Sequence, residues 1–281
     1  LKIMTANQKE LSITPETIVL RTIEVPYETL EQLNGSLKIT GENIKLSKIP
    51  IEKVLVSATA GNGVINFDEI KSDFLGGSQR GNMTINTAKK KVQVRIQSKI
   101  TNIDIKKINQ ITKNSEQLEG FINANIALTT EGTNIQEIKN QIQSNIDLEI
   151  KKGAINGFDA RRIIQTAETI LECKCIRPVS KGGKTYFDTL KTNARYSGNI
   201  LTNNRIELFA EGFKITGYGE VNLKKESLDH IFNILVEESR TTIDKKNINI
   251  GGYNIPVRCK GKLKSPKCSP NLESIILNIS K

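Results

Sequence analysis

The stretch Val92-Gln93-Val94-Arg95-Ile96 alternates aliphatic and polar residues, which is the two-residue period of a β-strand with one apolar face. The same alternation recurs through most of the chain. It includes Val54, Val56, Ala58, Ile122, Ala124, Ile126, Leu128, Ile146, Leu148, Ile150, Ile206, Leu208, Phe213, Ile215, Val221, Leu223, Phe232, Ile234 and Val236. Branched aliphatic residues at this density favour pleated, half-buried surfaces. The sequence therefore predicts a mainly β chain.

Short turns such as Gly61-Asn62-Gly63 and Ser197-Gly198-Asn199 separate these strands, and links this short join antiparallel neighbours. Helical patterns occur at residues 104–112, at 134–144 behind a capping box from Thr133 to Gln136, and at 159–172. The predicted fold class is mainly β (α+β). It is an extended, curved antiparallel β-groove built from repeated short strands, with two or three short amphipathic helices.

The formal charge of +11 and the pI near 9.4 would suit an acidic partner or an anionic membrane. The positive residues are spread out, and no basic face interleaved with stacking aromatics is visible, so we expect no nucleic-acid partner. No stretch approaches the roughly 20 apolar residues that span a bilayer. The chain opens Leu1-Lys2-Ile3 without a signal peptide, so we expect any membrane anchor to lie upstream.

Candidate catalytic groups are scarce. The one histidine, His230, adjoins the alternating strand 231–236, where a lone histidine is most simply a structural residue. Without a second histidine, every Ser/His or Cys/His pair would have to use His230. No nucleophile elbow, Walker loop or dinucleotide fingerprint follows a strand. We therefore predict a protein that is not an enzyme and binds no cofactor.

The four cysteines are Cys173, Cys175, Cys259 and Cys268, which allow three pairings. Cys259 and Cys268 flank a hairpin-like segment and could form a disulfide in an oxidising compartment. A four-cysteine metal site is the competing interpretation. Because Cys-x-Cys is not the usual zinc spacing and no histidine lies nearby, we predict no metal.

Residues 61–86 and 198–222 share an order of turn, strand, glycine-marked turn and strand. This weak internal repeat indicates a duplicated β-hairpin unit. Duplication of this kind favours an extended array over a closed barrel.

The segment Ile255-Pro256-Val257-Arg258, followed by Gly261, Leu263, Pro266, Pro270 and Leu272, resembles the C-terminal region of the AsmA family of Gram-negative envelope proteins. Further similarity lies in Phe187-Asp188-Thr189-Leu190, in the run from Ile215 to Leu223, in Lys151 to Asp159 and in residues 36–86. The resemblance covers roughly residues 35–281. Asn271 departs from the usual Asp, and Cys259 and Cys268 replace other residues.

This resemblance implies a protein of the periplasm, anchored to the inner membrane by a segment absent from this chain. It implies four regions: 1–34, the end of a preceding segment or linker; 35–132, a first β-groove repeat; 133–172, a helix-containing connection; and 173–281, the AsmA-like C-terminal β region. The implied function is shielding or conducting phospholipid along an apolar groove in support of outer-membrane biogenesis, with a possible envelope protein partner. The alternative is a non-enzymatic scaffold or regulator of outer-membrane protein assembly.

A groove of this kind needs only a continuous apolar lining. The residues that we predict to line it are Val54, Val56, Val92, Val94, Ile96, Ile126, Leu128, Ile206, Leu208, Phe213, Ile215, Val221 and Leu223. The competing interpretation of the same pattern is an ordinary sandwich, in which these faces pack against each other as a filled core.

Overall fold

A computed structural model describes residues 2–5, 10–12, 32–87, 91–112, 117–173, 182–237, 240–243, 246–249, 252 and 254–270. Within these ranges the chain has seventeen β-strands and three short helices. The cysteine Cys175 and the motif residues Asn271 and Leu272 lie outside them.

The strand bounds are β1 Lys2–Thr5, β2 Glu10–Ser12, β3 Gly35–Leu46, β4 Ile49–Gly61, β5 Val64–Phe74, β6 Gly77–Asn86, β7 Val92–Asp104, β8 Leu118–Gly132, β9 Gln143–Asn156, β10 Lys184–Ser197, β11 Ile200–Ala210, β12 Phe213–Asn222, β13 Ser227–Val236, β14 Arg240–Ile243, β15 Lys246–Asn249, β16 Asn254–Lys262 and β17 Lys267–Pro270. The helices are α1 Ile105–Thr112, α2 Ile135–Asn140 and α3 Ala160–Cys173.

Fifteen of the strands form one sheet, in the order β17-β16-β13-β12-β11-β10-β9-β8-β7-β6-β5-β4-β3-β1-β2, and β14 pairs separately with β15. The sheet is antiparallel and open, and the helices are short additions to it. The predicted mainly β, antiparallel fold class is therefore confirmed. Strands that follow each other in sequence pair with each other because the turns between them are short.

The residues group into two compact units. Unit 1 comprises 1–114, 122–147 and 195–198, and unit 2 comprises 115–121, 148–194 and 199–281. The boundary divides each of the strands β8, β9 and β10 between the two units. Each unit therefore consists of several separate segments of the chain. The four predicted regions follow the chain instead, and they stay a prediction.

All three predicted helices are present, with small shifts of their ends. Helix α1 begins after Asp104, whose Oδ1 accepts from the Lys106 backbone N–H at 2.8 Å. Helix α3 begins after Asp159, which accepts from the Arg162 N–H at 3.0 Å. Helix α2 ends at Asn140 rather than 144, because strand β9 starts at Gln143.

The predicted cap of α2 is wrong by one residue. Asn134, not Thr133, is the N-cap, and its side chain accepts from the Glu137 N–H at 2.9 Å. The Glu137 carboxylate in turn accepts from the backbone N–H and the hydroxyl of Thr133, both at 2.8 Å. These hydrogen bonds lower the pKa of Glu137, the one from the Thr133 backbone most of all. The arrangement resembles a capping box, except that Glu137 accepts from Thr133, one residue before the N-cap.

The internal repeat predicted from sequence is a pair of hairpins, and both hairpins have the same pairing register. Strands β5 and β6 pair from Val64 opposite Asn86, and β11 and β12 pair from Ile200 opposite Asn222, an offset of 136 residues. In both hairpins the register shifts between the fourth and seventh residues of the first strand.

A glycine occupies the same position of both hairpins, Gly81 in β6 and Gly217 in β12. A Cβ on Gly81 would come within 2.1 Å of the Gln97 carbonyl oxygen. A Cβ on Gly217 would come within 2.4 Å of the Phe232 ring. Both glycines are therefore required by close approach of the next strand.

Candidate functional site

The register of β3 to β7 aligns apolar residues into four rows that cross all five strands of unit 1. The rows contain Gly41, Val54, Ser72, Gln79 and Ile100; Ile39, Val56, Ile70, Gly81 and Ser98; Leu37, Ala58, Phe67, Met83 and Ile96; and Gly35, Ala60, Ile65, Ile85 and Val94. No member of these rows, all of them among the described residues, is charged. We call this surface the apolar face of unit 1.

The aliphatic side chains of the apolar face are only half-buried. Val54, Val56, Met83, Val94 and Ile96 all have intermediate exposure, and the same holds for most of their neighbours. Two side chains of the rows are buried, Ala58 at 7% and Ile65 at 9% exposure. Water therefore still reaches the branched side chains. A second packed layer of protein would exclude it.

The opposite side of the same strands is charged and amide-rich, and we call it the polar face of unit 1. Lys71, Arg80 and Lys99 stand directly opposite each other on β5, β6 and β7. Further along, Asn82 faces Gln97 across β6 and β7. The two faces differ because successive side chains along a strand point to opposite sides of the sheet. With the strands paired in this register, the uncharged residues lie on one side and the charged residues lie on the other.

Four predicted groove residues belong to the apolar face, and a fifth lies on the same side of β7. Val54, Val56, Val94 and Ile96 are members of its rows. Val92 has intermediate exposure and shares the side of β7 that carries Val94, two residues further on. The structure thus brings together residues that are far apart in sequence.

Two further groove residues, Ile126 and Leu128, are on β8. The Gln93 side chain of β7 donates to the Glu131 carboxylate of β8 at 3.2 Å, which aligns Glu131 with the polar face. Alternation from Glu131 then turns Ile126 and Leu128 to the apolar side, and both have intermediate exposure.

The corresponding side of unit 2 is a packed core. Leu208, Ile215, Ile234 and Ile255 form one row across β11, β12, β13 and β16. Their exposures are 2%, 3%, 0% and 2%. Phe213, another predicted groove residue, is 3% exposed. Leu208, Phe213 and Ile215 therefore lie in the protein interior, and we do not include them in the candidate surface.

Helix α3 contributes to this core. Ile163, Ile164 and Ala167 on one side of the helix are buried. The Arg161 guanidinium contacts the Glu211 carboxylate at 3.2 Å, which ties the first turn of α3 to the turn between β11 and β12. We infer that the apolar side of α3 packs on the end of the sheet that carries Phe213.

The remaining predicted groove residues are also in unit 2. Ile206 and Val221 are half-buried members of strands β11 and β12. Leu223 follows β12, is 47% exposed, and donates its backbone N–H to the Asn199 carbonyl at 2.9 Å. It is thus a turn residue rather than a strand residue. Lipid contact stays a prediction for all thirteen residues.

Sequence reasoning missed several members of the apolar face, among them Ile39, Phe67, Ile70 and Met83. Met83 and Ile85 alternate in the printed sequence and could have been found from that signal. Phe67 and Ile70 could not, because the bulge between them interrupts the two-residue period.

His230 is a buried residue of the unit 2 core, at 6% exposure. Its Nε2 lies 3.3 Å from Asn203 Oδ1, and its ring stacks on Phe232 with centroids 5.7 Å apart. Burial lowers the pKa of His230, against smaller opposing effects of Asp229 and Glu220. A buried imidazole with an amide partner fits the predicted structural role. Among the described residues, no cluster of His, Cys, Asp or Glu could hold a metal ion.

The structure pairs Cys259 with Cys268 in a disulfide. The two residues oppose each other on β16 and β17, with Cα atoms 4.0 Å apart. The bond therefore connects the last described strand of the sheet to its neighbour.

No helix in the described ranges has the length and apolar character required to cross a bilayer.

No curated protein and no solved structure matches the chain. The profile of the AsmA family matches residues 5–206, which is more than half of the sequence. The match stops before the segment 255–272, so it rests on a different part of the chain from the C-terminal motif. Members of this family are generally not enzymes. The chain belongs to the AsmA family, whose members are typically associated with the cell envelope.

Proposed function

We propose that the chain shields or conducts phospholipid acyl chains on the apolar face of unit 1. One observation carries this proposal: four uncharged rows cross five strands, and most of their aliphatic side chains are only half-buried. A surface of this kind is costly in water unless something apolar covers it. An acyl chain would gain about 0.8 kcal/mol for each CH₂ that it buries there.

The geometry suits a hydrocarbon better than a polar ligand. Ser72, Gln79 and Ser98 are the polar side chains in the four rows, and none carries a charge. Ser72 and Ser98 both hydrogen-bond to Gln79, at 3.2 and 3.1 Å, so these groups satisfy each other. An acyl chain could pass across them without stripping water from an unpaired group.

The proposal locates the chain in the periplasm, attached to the inner membrane, where it would support outer-membrane biogenesis. Family membership supports an envelope role, and the apolar face supports a lipid as the ligand. Passive transfer along such a surface requires neither a cofactor nor a catalytic residue.

A second candidate function is a scaffold or regulator of outer-membrane protein assembly. The packed core of unit 2 favours it, because Ile234 and Val257 at 0% and 1% exposure leave no room for a guest molecule on that face. A rigid, filled β module can present its outer surface or an edge strand to a protein partner.

Native mass spectrometry of the chain purified from a Gram-negative host tests the first function. We expect bound phospholipid on the wild-type chain. Val56→Asp with Val94→Asp places two charges on the apolar face and should abolish that occupancy. The matched control is Leu55→Asp with Asn82→Asp, which adds the same charge to the opposite side of the same sheet.

Circular dichroism of each variant checks that the fold is retained. Loss of phospholipid from the apolar-face variant, with retention by the control, supports the lipid function. A wild-type chain that carries no lipid would contradict it and favour the scaffold.

A further inference from the structure

The polar face of unit 1 contains a depression that the proposed lipid function does not use. It has a volume of about 550 Å³ and is lined by twelve residues of β7, β8, β9 and β10, all within unit 1. This volume lies within the range of small-molecule sites, roughly 300–1,000 Å³.

The depression is lined by two arginines and by small, hydroxyl and amide side chains, and Ile96, Leu128 and Tyr196 also border it. Arg95 of β7 and Arg195 of β10 stand at its two sides, and Ala127 and Asn145 lie between them. The two arginine strands are three strand spacings apart, about 14 Å. Because arginine side chains are long, the guanidinium groups of these two strands can both approach a ligand that lies between them.

Within the described part of the chain, no acidic side chain pairs with these arginines. None of the twelve lining residues is Asp or Glu. Neither Arg95 nor Arg195 forms an ion pair with any residue that the structure describes, whereas other exposed arginines do, such as Arg205 with Glu207 at 3.0 Å. A pair of unmatched guanidinium groups around one hollow is an anion-binding arrangement.

The adjoining surface adds further positive charge. Arg80 and Lys99 oppose each other on β6 and β7, and they line a neighbouring depression of about 380 Å³ that also contains Asp147. Gln97 and Asn145 belong to both depressions. Like charges directly opposite each other destabilise a sheet, so a bound anion would relieve a cost already present in the strands.

We propose that this depression binds a phosphate group carried on a polyhydroxylated ligand such as a sugar. The guanidinium groups of Arg95 and Arg195 hold the phosphate oxygens, because the planar fork of arginine matches them in a bidentate manner. The side chains of Gln97, Gln143 and Asn145 supply donors and acceptors for hydroxyl groups. The ligand therefore lies on the opposite side of the sheet from the acyl-chain surface.

Isothermal titration of the full chain with glucose 6-phosphate tests this site, with inorganic phosphate and glucose as the component probes. We expect glucose 6-phosphate to bind more tightly than phosphate, and glucose not to bind. Arg95→Gln with Arg195→Gln should weaken binding about tenfold or more. The matched control, Lys38→Gln with Lys53→Gln, removes the same charge from the same face outside the depression.

Vesicles of phosphatidylglycerol and of phosphatidylcholine distinguish the source of the phosphate. If only phosphatidylglycerol vesicles bind, and only the arginine variant loses them, the site takes a lipid headgroup. If the arginine variant and the lysine control weaken phosphate binding equally, the effect is one of net charge and the proposal is overturned. Absence of binding to every phosphate probe would also overturn it. The outcome is independent of the lipid function, because Val56→Asp with Val94→Asp should leave glucose 6-phosphate binding unchanged.

Discussion

Asp229 accepts two hydrogen bonds from Arg258, at 2.9 Å from Nε and 2.8 Å from Nη2. Arg258 belongs to the Ile-Pro-Val-Arg segment that resembles the family's C-terminal region, and Asp229 is on the neighbouring strand β13. Lys260 adds a second cation, with Nζ 3.1 Å from Asp229 Oδ2. In this chain the motif arginine therefore has a structural partner, which joins β16 to β13.

These contacts predict a pH-dependent contribution to stability. Hydrogen bonds from Arg258, and then from Lys260, hold the pKa of Asp229 well below its usual value. A carboxyl whose folded pKa is depressed stabilises the fold above its unfolded pKa, which is about 3.9, and loses that contribution as pH falls further. Asp229→Asn should therefore be less stable than wild type at pH 7, with a difference that shrinks between pH 4 and pH 2. Urea unfolding at several pH values measures it, and a difference independent of pH would contradict the ion pair's role.

The contrast between the two units predicts unequal costs for the same substitution. Val257 in unit 2 is 1% exposed, and Val94 in unit 1 is half-buried. Val257→Ala should cost about 2 kcal/mol or more, because two buried methyl groups are lost and a cavity remains. Val94→Ala should cost less than about 1 kcal/mol, since its methyl groups already contact water. Urea unfolding followed by circular dichroism compares them, and equal costs would mean that the apolar face of unit 1 is covered.

The disulfide predicts a loss of stability when both of its cysteines are removed. Cys259 and Cys268 are nine residues apart, and closing a loop of that length restricts the unfolded chain by about 2–3 kcal/mol. Cys259→Ala with Cys268→Ala should lower stability by that amount. Cys173→Ala with Cys175→Ala is the matched control at the other cysteine pair. Unchanged unfolding of the first double variant would show that the β16–β17 pairing does not depend on the bond.

The strands and helices could be predicted from local pattern. Val92, Val94 and Ile96 alternate in sequence and share one side of β7. The sequence predicts a helix at 159–172 and the structure has α3 at Ala160–Cys173, because an Asp cap precedes a clear amphipathic period. These features depend on neighbours within one or two turns, and the sequence contains that information directly.

The state of each apolar face could not be predicted in the same way. Val94 and Leu208 occupy equivalent alternating patterns, yet one is half-exposed and the other is 2% exposed. Alternation determines which side of a strand a residue faces, but not whether another layer covers that side. In unit 2 we infer that helix α3 covers part of that side, and α3 is distant in sequence from β11 to β13. The depression between Arg95 and Arg195 was likewise invisible, because it requires the pairing of four strands.

The most direct test of the central claim is site-specific photocrosslinking in living Gram-negative cells. A photoreactive phenylalanine analogue replaces Val94 on the apolar face, Leu55 on the polar face, or Val257 in the unit 2 core. The account predicts phospholipid adducts at Val94 and none at Leu55 or Val257, identified by mass spectrometry of the purified chain. Absence of lipid at Val94, or equal labelling at all three positions, would contradict it.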